Sequence, residues 1–204
     1  MTALLIADDL SIVRGDRCLF ERLEFALNPG EALLVEGANG SGKTSLLRGI
    51  AGLLEFYSGK VVWNGANVRD DYQLFRADLG WLSHRVGFKG ELNVLENLRF
   101  DCAMRSAAVT SQHAVIERLG LASLTGLPFR YLSAGQQRRV ALARLLLSNA
   151  RLWLMDEPTT NLDKAGRSLV ATLIDEHLQA GGLCVVASHQ PVEVAARTYR
   201  VTLG

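Results

Sequence analysis

Residues 37–44 read GANGSGKT, a glycine-rich loop that ends in Lys43 and Thr44. Glycines at 37, 40 and 42 let the backbone bend so that successive N–H groups face a polyphosphate. The binding stretch runs Gly37, Ala38, Asn39, Gly40, Ser41, Gly42, Lys43, Thr44 and Ser45, where a helix beginning near Lys43 adds its positive dipole end. In this pattern Lys43 reaches the β- and γ-phosphates, and the Thr44 hydroxyl is placed to ligate Mg²⁺. Further on, LWLMDE delivers Asp156 at the end of an apolar run as the Mg²⁺ partner, with Glu157 beside it as a general base on water. The bland alternative for the loop, a turn before a helix with Lys43 solvated, is disfavoured by the motif in its strand, loop and helix context, while each acid taken alone could be a strand-end cap. Following one another in this order, they read as a nucleotide hydrolase.

Such groups need rigid elements behind them. ALLVEG, LWLMDE and LCVVASH are short, continuously apolar runs ending in Gly, acid or His, as strands buried on both faces of a parallel sheet do. Their carboxyl ends carry Gly37, the pair Asp156 and Glu157, and His189, which is where open α/β sheets hold ligands. Leu23, Phe25 and Leu27 alternate before NPG, and Val61 and Trp63 before Asn64-Gly65, so antiparallel strands are expected there. Residues 84 to 150 carry helical patterning, as in ELNVLENLRF and SQHAVIERLGL. Within them, LSAGQQRRVALARLLL reads as an amphipathic helix capped by Ser133, its apolar set Val140, Leu142, Ala143, Leu146 and Leu147.

An apolar fraction of 49% over 204 residues suits an ordinary globular core. A net charge of +1, with basic residues scattered, gives no reason to expect nucleic acid. The opening MTALLIADDL lacks a basic start and meets acids at once, which predicts no signal peptide, and the chain ends soon after its last expected strand. No stretch approaches the roughly 20 apolar residues of a membrane span. Cys18, Cys102 and Cys184 are odd in number and far apart, so they are read as small buried or half-buried residues of a reducing compartment. His113 and His177 are read as plain surface helix residues.

These residues resemble the ATP-binding cassette (ABC) family over nearly the whole chain. Five motifs in order carry the likeness: GANGSGKT, LSAGQ, LWLMDE, the TNLD of residues 160–163, and His189. The resemblance implies an α/β P-loop NTPase fold with a mixed or parallel sheet core, an antiparallel β subdomain and an inserted helical subdomain. It implies a single domain over 1–204, with 1–83 and 151–204 as core and β lobe and 84–150 as the helical part. It also implies ATP and Mg²⁺ as cofactors and a homodimer packed head to tail. Ser133, Gly135 and Gln136 of one chain would then close on ATP held by the other, with Arg138 and Arg139 supporting that helix and the interface. Asp163 would tune the dimer, Glu157 would be the catalytic glutamate, and His189 would contact the γ-phosphate. Two departures stand out. His84 occupies the place where the family usually has Gln, and it either takes over that catalytic role or alters coupling to the membrane partner. Arg14 lies where an aromatic residue usually stacks on adenine, so Arg14 itself or nearby Phe20 must serve.

LSH followed by GFKGELNVLENLRF, together with LFERLEF and LSAGQQRRVALARL, is similar to the cytochrome c maturation branch of the family. That likeness implies a membrane subunit CcmB, association with CcmC and CcmD, and work on the haem chaperone CcmE. It places the chain peripherally at the cytoplasmic face of a bacterial inner membrane. No direct haem site is expected, since His84 and Cys102 lie in no haem motif. The alternatives are a transport ATPase for another small cargo and a non-transport ATPase acting on ribosomes or DNA. Members of that last group usually carry two cassettes or a long coiled-coil insertion, and neither occurs here.

Overall fold

The computed structural model describes residues 4–104 and 112–204. An antiparallel sheet comes first. β1 (Leu5–Arg14) and β2 (Arg17–Leu27) turn at Gly15, β4 (Ser58–Trp63) pairs with the other side of β1, and β5 (Ala66–Asn67) closes the edge. Asn64 and Gly65 both take positive φ, as a two-residue turn between right-twisted strands requires.

The second sheet is parallel. It contains β3 (Ala32–Gly37), β6 (Leu79–Leu82), β7 (Leu152–Asp156), β8 (Leu183–Ala187) and β9 (Thr198–Leu203), in the order β6-β7-β8-β3-β9. The period of two divides its side chains between two cores. Leu33, Val35, Leu152, Leu154, Leu183 and Val185 face the antiparallel sheet and α1 (Lys43–Ile50). Ala32, Leu34, Trp153, Met155, Cys184 and Val186 face the remaining long helices, α3 (Val94–Met104), α4 (Gln112–Arg118), α5 (Ala134–Leu147) and α6 (Lys164–Gln179). A short α2 (Tyr72–Ala77) precedes β6. The strands at ALLVEG, LWLMDE and LCVVASH are present, as are those around Leu23 and Val61. Between β6 and β7, the described residues form α3, α4, α5 and two short 3-10 turns.

Several expectations need correction. The end of the chain is itself a strand, β9, paired in parallel along the whole of β3. α5 is buried almost all round rather than amphipathic: Ala141 and Leu145 join Val140, Leu142, Ala143 and Leu147 in the core, Leu146 is only half-buried, and Arg138 is 4% exposed. Its start holds as read, with Ser133 accepting from the Gln136 N–H and the Gln136 side chain accepting from the Ser133 N–H. Cys18 is exposed, because it lies on the outer strand of the antiparallel sheet, whereas Cys102 and Cys184 are buried. His113 is a surface residue. His177 is not, for its ring stacks flat on Trp153 with centroids 3.9 Å apart. Ser111, which opens one of the helical stretches, lies outside the described residues. No helix among the described residues is long and apolar enough to cross a membrane.

Candidate functional site

The carboxyl ends of β3, β7 and β8 meet the β1–β2 hairpin around a cleft. Its walls include Asn39, Gly40, Gly42, Lys43, Thr44 and Ser45 from the glycine loop and α1, then His84, Asp156, Glu157, Thr160 and His189. Arg14, Arg17 and Leu19 of the hairpin close the remaining side.

The glycine loop is shaped by sterics. At Gly37 (φ 144°) a Cβ would lie 2.2 Å from the Leu203 carbonyl oxygen and 2.7 Å from Ser41 Oγ, so no side chain fits. Gly42, at φ 105°, precedes α1, and no side chain caps that helix, which leaves first-turn N–H groups for an anion. Ser41 Oγ is buried without a hydrogen-bond partner among the described residues, as suits a polar atom inside a phosphate cradle. Lys43 is 7% exposed, and its Nζ donates to the carbonyls of Gly37 at 2.7 Å and Ala38 at 3.0 Å.

Thr44 Oγ1 donates to both carboxylate oxygens of Asp156, at 2.9 and 3.1 Å. Burial raises the Asp156 pKa; the Thr44 hydrogen bond opposes this, Glu157 adds to it, and His84 and Arg138 oppose it. Hydroxyl plus carboxylate is a hard-oxygen pair of the type Mg²⁺ takes when phosphate oxygens and water complete its shell. No group of three or more His, Cys, Asp or Glu side chains placed to hold a metal ion occurs among the described residues.

Glu157 follows at a left-handed φ of 52°, a backbone state that costs a non-glycine residue about 1 kcal/mol or more and persists only under surrounding constraint. Its N–H donates to Ala187 O at 2.8 Å, binding it to the end of β8. Its carboxylate accepts from the His189 N–H at 3.1 Å and lies 2.7 Å from His189 Nδ1, with the Ser188 hydroxyl at 3.4 Å. Glu157 and His189 therefore form one polar unit facing the cleft.

Other expected residues sit elsewhere. Ser133, Gly135 and Gln136 lie at the start of α5 and do not line this cleft. Gly135 instead approaches the TNLD turn, where a Cβ would come 2.9 Å from Asn161 O. Asp163 caps α6 through the Gly166 N–H at 2.7 Å. Phe20 does not line the cleft; with Leu19 it packs over Gly42, and the hairpin's side of the cleft is formed by Arg14, Arg17 and Leu19. Sequence reasoning missed the roles of Arg17, Leu19 and Thr160 as walls, and above all the setting of Arg138. Helical spacing held the signal for Arg138, since it shares the stripe of Leu142 and Leu145 and so points inward.

The ABC transporter family model matches residues 20–160. A cytochrome c biogenesis ATP-binding export protein CcmA of Pseudomonas aeruginosa is 44% identical over 197 residues, 96% of each chain. A protein of the same name from Vibrio cholerae is 45% identical, covering 92% of this chain and 91% of its own. Among solved structures, an ABC transporter ATP-binding protein from Pyrococcus furiosus superposes with a TM-score of 0.84 at 25% identity over 96% of both chains. The ATP binding subunit of another ABC transporter gives 0.83 at 22% identity, covering 91% of this chain and 79% of its own. With its glycine loop, acidic strand end and His189 gathered at one cleft, the chain belongs to the ABC transporter family as an ATP-binding, ATP-hydrolysing subunit.

Proposed function

We propose that the chain is the motor subunit of an ABC-type membrane complex for cytochrome c maturation. The observation that carries the chemistry is the convergence of Lys43, Thr44, Asp156, Glu157 and His189 on one cleft. The cargo assignment is supported by relatives named CcmA that match end to end.

On this reading ATP lies along the glycine loop, whose N–H groups and α1 terminus face its phosphates while Lys43 turns from its own carbonyls to the β- and γ-oxygens. Thr44 and Asp156 would hold Mg²⁺, which when bound neutralises charge on the phosphate oxygens. Glu157 accepts the proton of the attacking water, which sends its oxygen to the γ-phosphorus as the bond to the ADP oxygen breaks. His189, tied to Glu157 Oε2, keeps that carboxylate aimed and contacts the γ-phosphate. His84, from the loop after β6, reaches the same space and serves where the family has Gln. Residues 84–150 act as a helical subdomain on the core formed by 1–83 and 151–204.

The position of Ser133, Gly135 and Gln136 outside the cleft of their own chain, Ser133 exposed and the other two half-buried, supports a second chain as their target. Two chains would pack head to tail with ATP between them, so that the α5 N-terminus of one meets the γ-phosphate of the other, and Asp163 fixes the turn beside Gly135. The membrane partner is CcmB, with CcmC and CcmD, and hydrolysis drives release of haem-loaded CcmE at the cytoplasmic face of the inner membrane. Neither a haem site nor a nucleic-acid surface is part of this reading.

The test is covalent haem in c-type cytochromes of the source cell, comparing the parent with Glu157→Gln at equal abundance. Selective loss supports the maturation role. Normal cytochromes move the ATPase to another cargo.

A further inference from the structure

Arg138 is a buried cation without a carboxylate at hydrogen-bond distance among the described residues. Its guanidinium instead faces four main-chain carbonyls: Nε donates to Pro158 O at 3.1 Å, Nη1 to Ser83 O at 2.8 Å, and Nη2 to Asp156 O at 2.9 Å and Glu157 O at 2.6 Å. Three of those carbonyls are consecutive and span the left-handed residue Glu157. The fourth immediately precedes His84. Burial pulls the Arg138 pKa down to about 10, against the pull of Asp156 and Glu157, so the group stays charged at neutral pH.

Only a planar fork with five donors spans such an array; an ammonium of similar length places its three donors at one point. A surface role for this arginine is ruled out by its 4% exposure. A purely fold-stabilising role does not require that every acceptor belong to the turn carrying Asp156 and Glu157 or to the loop carrying His84.

We propose that Arg138 is a positioning residue for hydrolysis, holding the Glu157 turn and the Ser83–His84 peptide in the geometry at which the carboxylate meets its water. The proposal rests on Glu157 being the base. Arg138 is not among the residues that line the cleft, and it acts through the peptides it grips. Its removal therefore lowers the rate of the chemical step while leaving phosphate contacts made by Lys43, Thr44 and the glycine loop in place. A misplacement of about 1 Å in a reacting group costs on the order of 100-fold in rate.

The experiment is steady-state hydrolysis of Mg·ATP by the purified chain, with binding of a fluorescent ATP analogue measured in parallel, for the parent, Arg138→Ala, Arg138→Lys and Glu157→Gln. For Arg138→Ala we expect kcat to fall about 100-fold with KM and analogue affinity within about threefold of the parent. Millimolar ethylguanidine, entering through the surface cleft between His84, Gly87, Ala134 and Thr160, restores kcat about tenfold or more, and ethylammonium does not. Arg138→Lys falls between, about tenfold down. A kcat for Arg138→Ala within threefold of the parent overturns the proposal, as does a loss that ethylguanidine leaves untouched or that tracks a rise in KM. If Arg138→Ala does not fold, Arg138→Lys decides: reduced kcat at unchanged KM supports positioning, and parental kcat overturns it. Full turnover by Glu157→Gln, by contrast, removes the base assignment on which the proposal stands.

Discussion

Replacing Glu157 by Gln separates basicity from position. The amide keeps the length and branching of the carboxylate. Its carbonyl can still accept the His189 N–H that lies 3.1 Å away, and its NH₂ takes the place of the oxygen 2.7 Å from His189 Nδ1, so the side chain stays anchored. What is lost is the proton acceptor. General-base catalysis contributes about 10² to 10⁴-fold, which at 1.36 kcal/mol per decade is about 3 to 5 kcal/mol on the barrier. Ground-state binding, on the proposed reading, comes from Lys43, Thr44 and the N–H groups of the glycine loop, none of which is hydrogen-bonded to Glu157 among the described residues. We therefore expect kcat to fall by about 10² to 10⁴ while KM stays within about threefold, and uncleaved ATP to accumulate in a two-chain complex. Phosphate release against ATP concentration gives both constants, and gel filtration with Mg·ATP gives the assembly state. A kcat within tenfold of the parent would refute the reasoning, because water would then be activated without this carboxylate.

Lys43→Ala removes a buried ammonium that, on the proposed reading, meets phosphates by charge-assisted hydrogen bonds. Calorimetry should show ATP affinity reduced by at least about tenfold, and parental affinity would remove the lysine from the site. Asp163→Ala deletes the acceptor for the Gly166 N–H at the start of α6. The expected loss is about 1 kcal/mol, or about 2–4 °C in Tm, and an unchanged melt would show the cap to be idle. His177 has a pKa lowered by burial, against hydrogen bonds to backbone at Leu183 and Arg151, so its neutral form stabilises the fold. That contribution is fully present above the unfolded value near 6.5 and is lost as pH falls below it toward the lowered folded value. His177→Phe keeps a ring on Trp153 and removes the proton, so its Tm should fall less than the parent's between about pH 7.5 and about pH 5.5. Parallel melting profiles would exclude His177 as the titrating group.

β3, β7 and β8 are legible in the sequence because strands buried on both faces are apolar without interruption. β1 is not legible: Asp8 and Asp9 interrupt its alternation at an irregularity in the pairing, where Asp9 takes a φ of 51° and both acids are exposed. β9 also escapes notice, since its sheet-edge residues are mostly half-buried or exposed and look like a polar tail. At the site, Lys43, Thr44, Asp156 and Glu157 belong to contiguous motifs whose local geometry already aims them. Arg14, Arg17 and Leu19 come from a different sheet, and only long-range packing brings them to the cleft. Arg138 is hidden for another reason. Its partners are main-chain carbonyls, which have no letter in the sequence.

Lys43 and Thr44 each have a partner inside their own chain, in the carbonyls of Gly37 and Ala38 and in the carboxylate of Asp156. On the proposed reading, nucleotide capture by Lys43 is therefore an exchange of acceptors rather than a simple addition of contacts, whereas Thr44 meets Mg²⁺ through its oxygen. The reverse exchange is equally available when ADP departs, since the carbonyls of Gly37 and Ala38 stand within reach of the ammonium. A cycling engine needs this reversibility. It lets the site discharge spent nucleotide without stranding a desolvated cation.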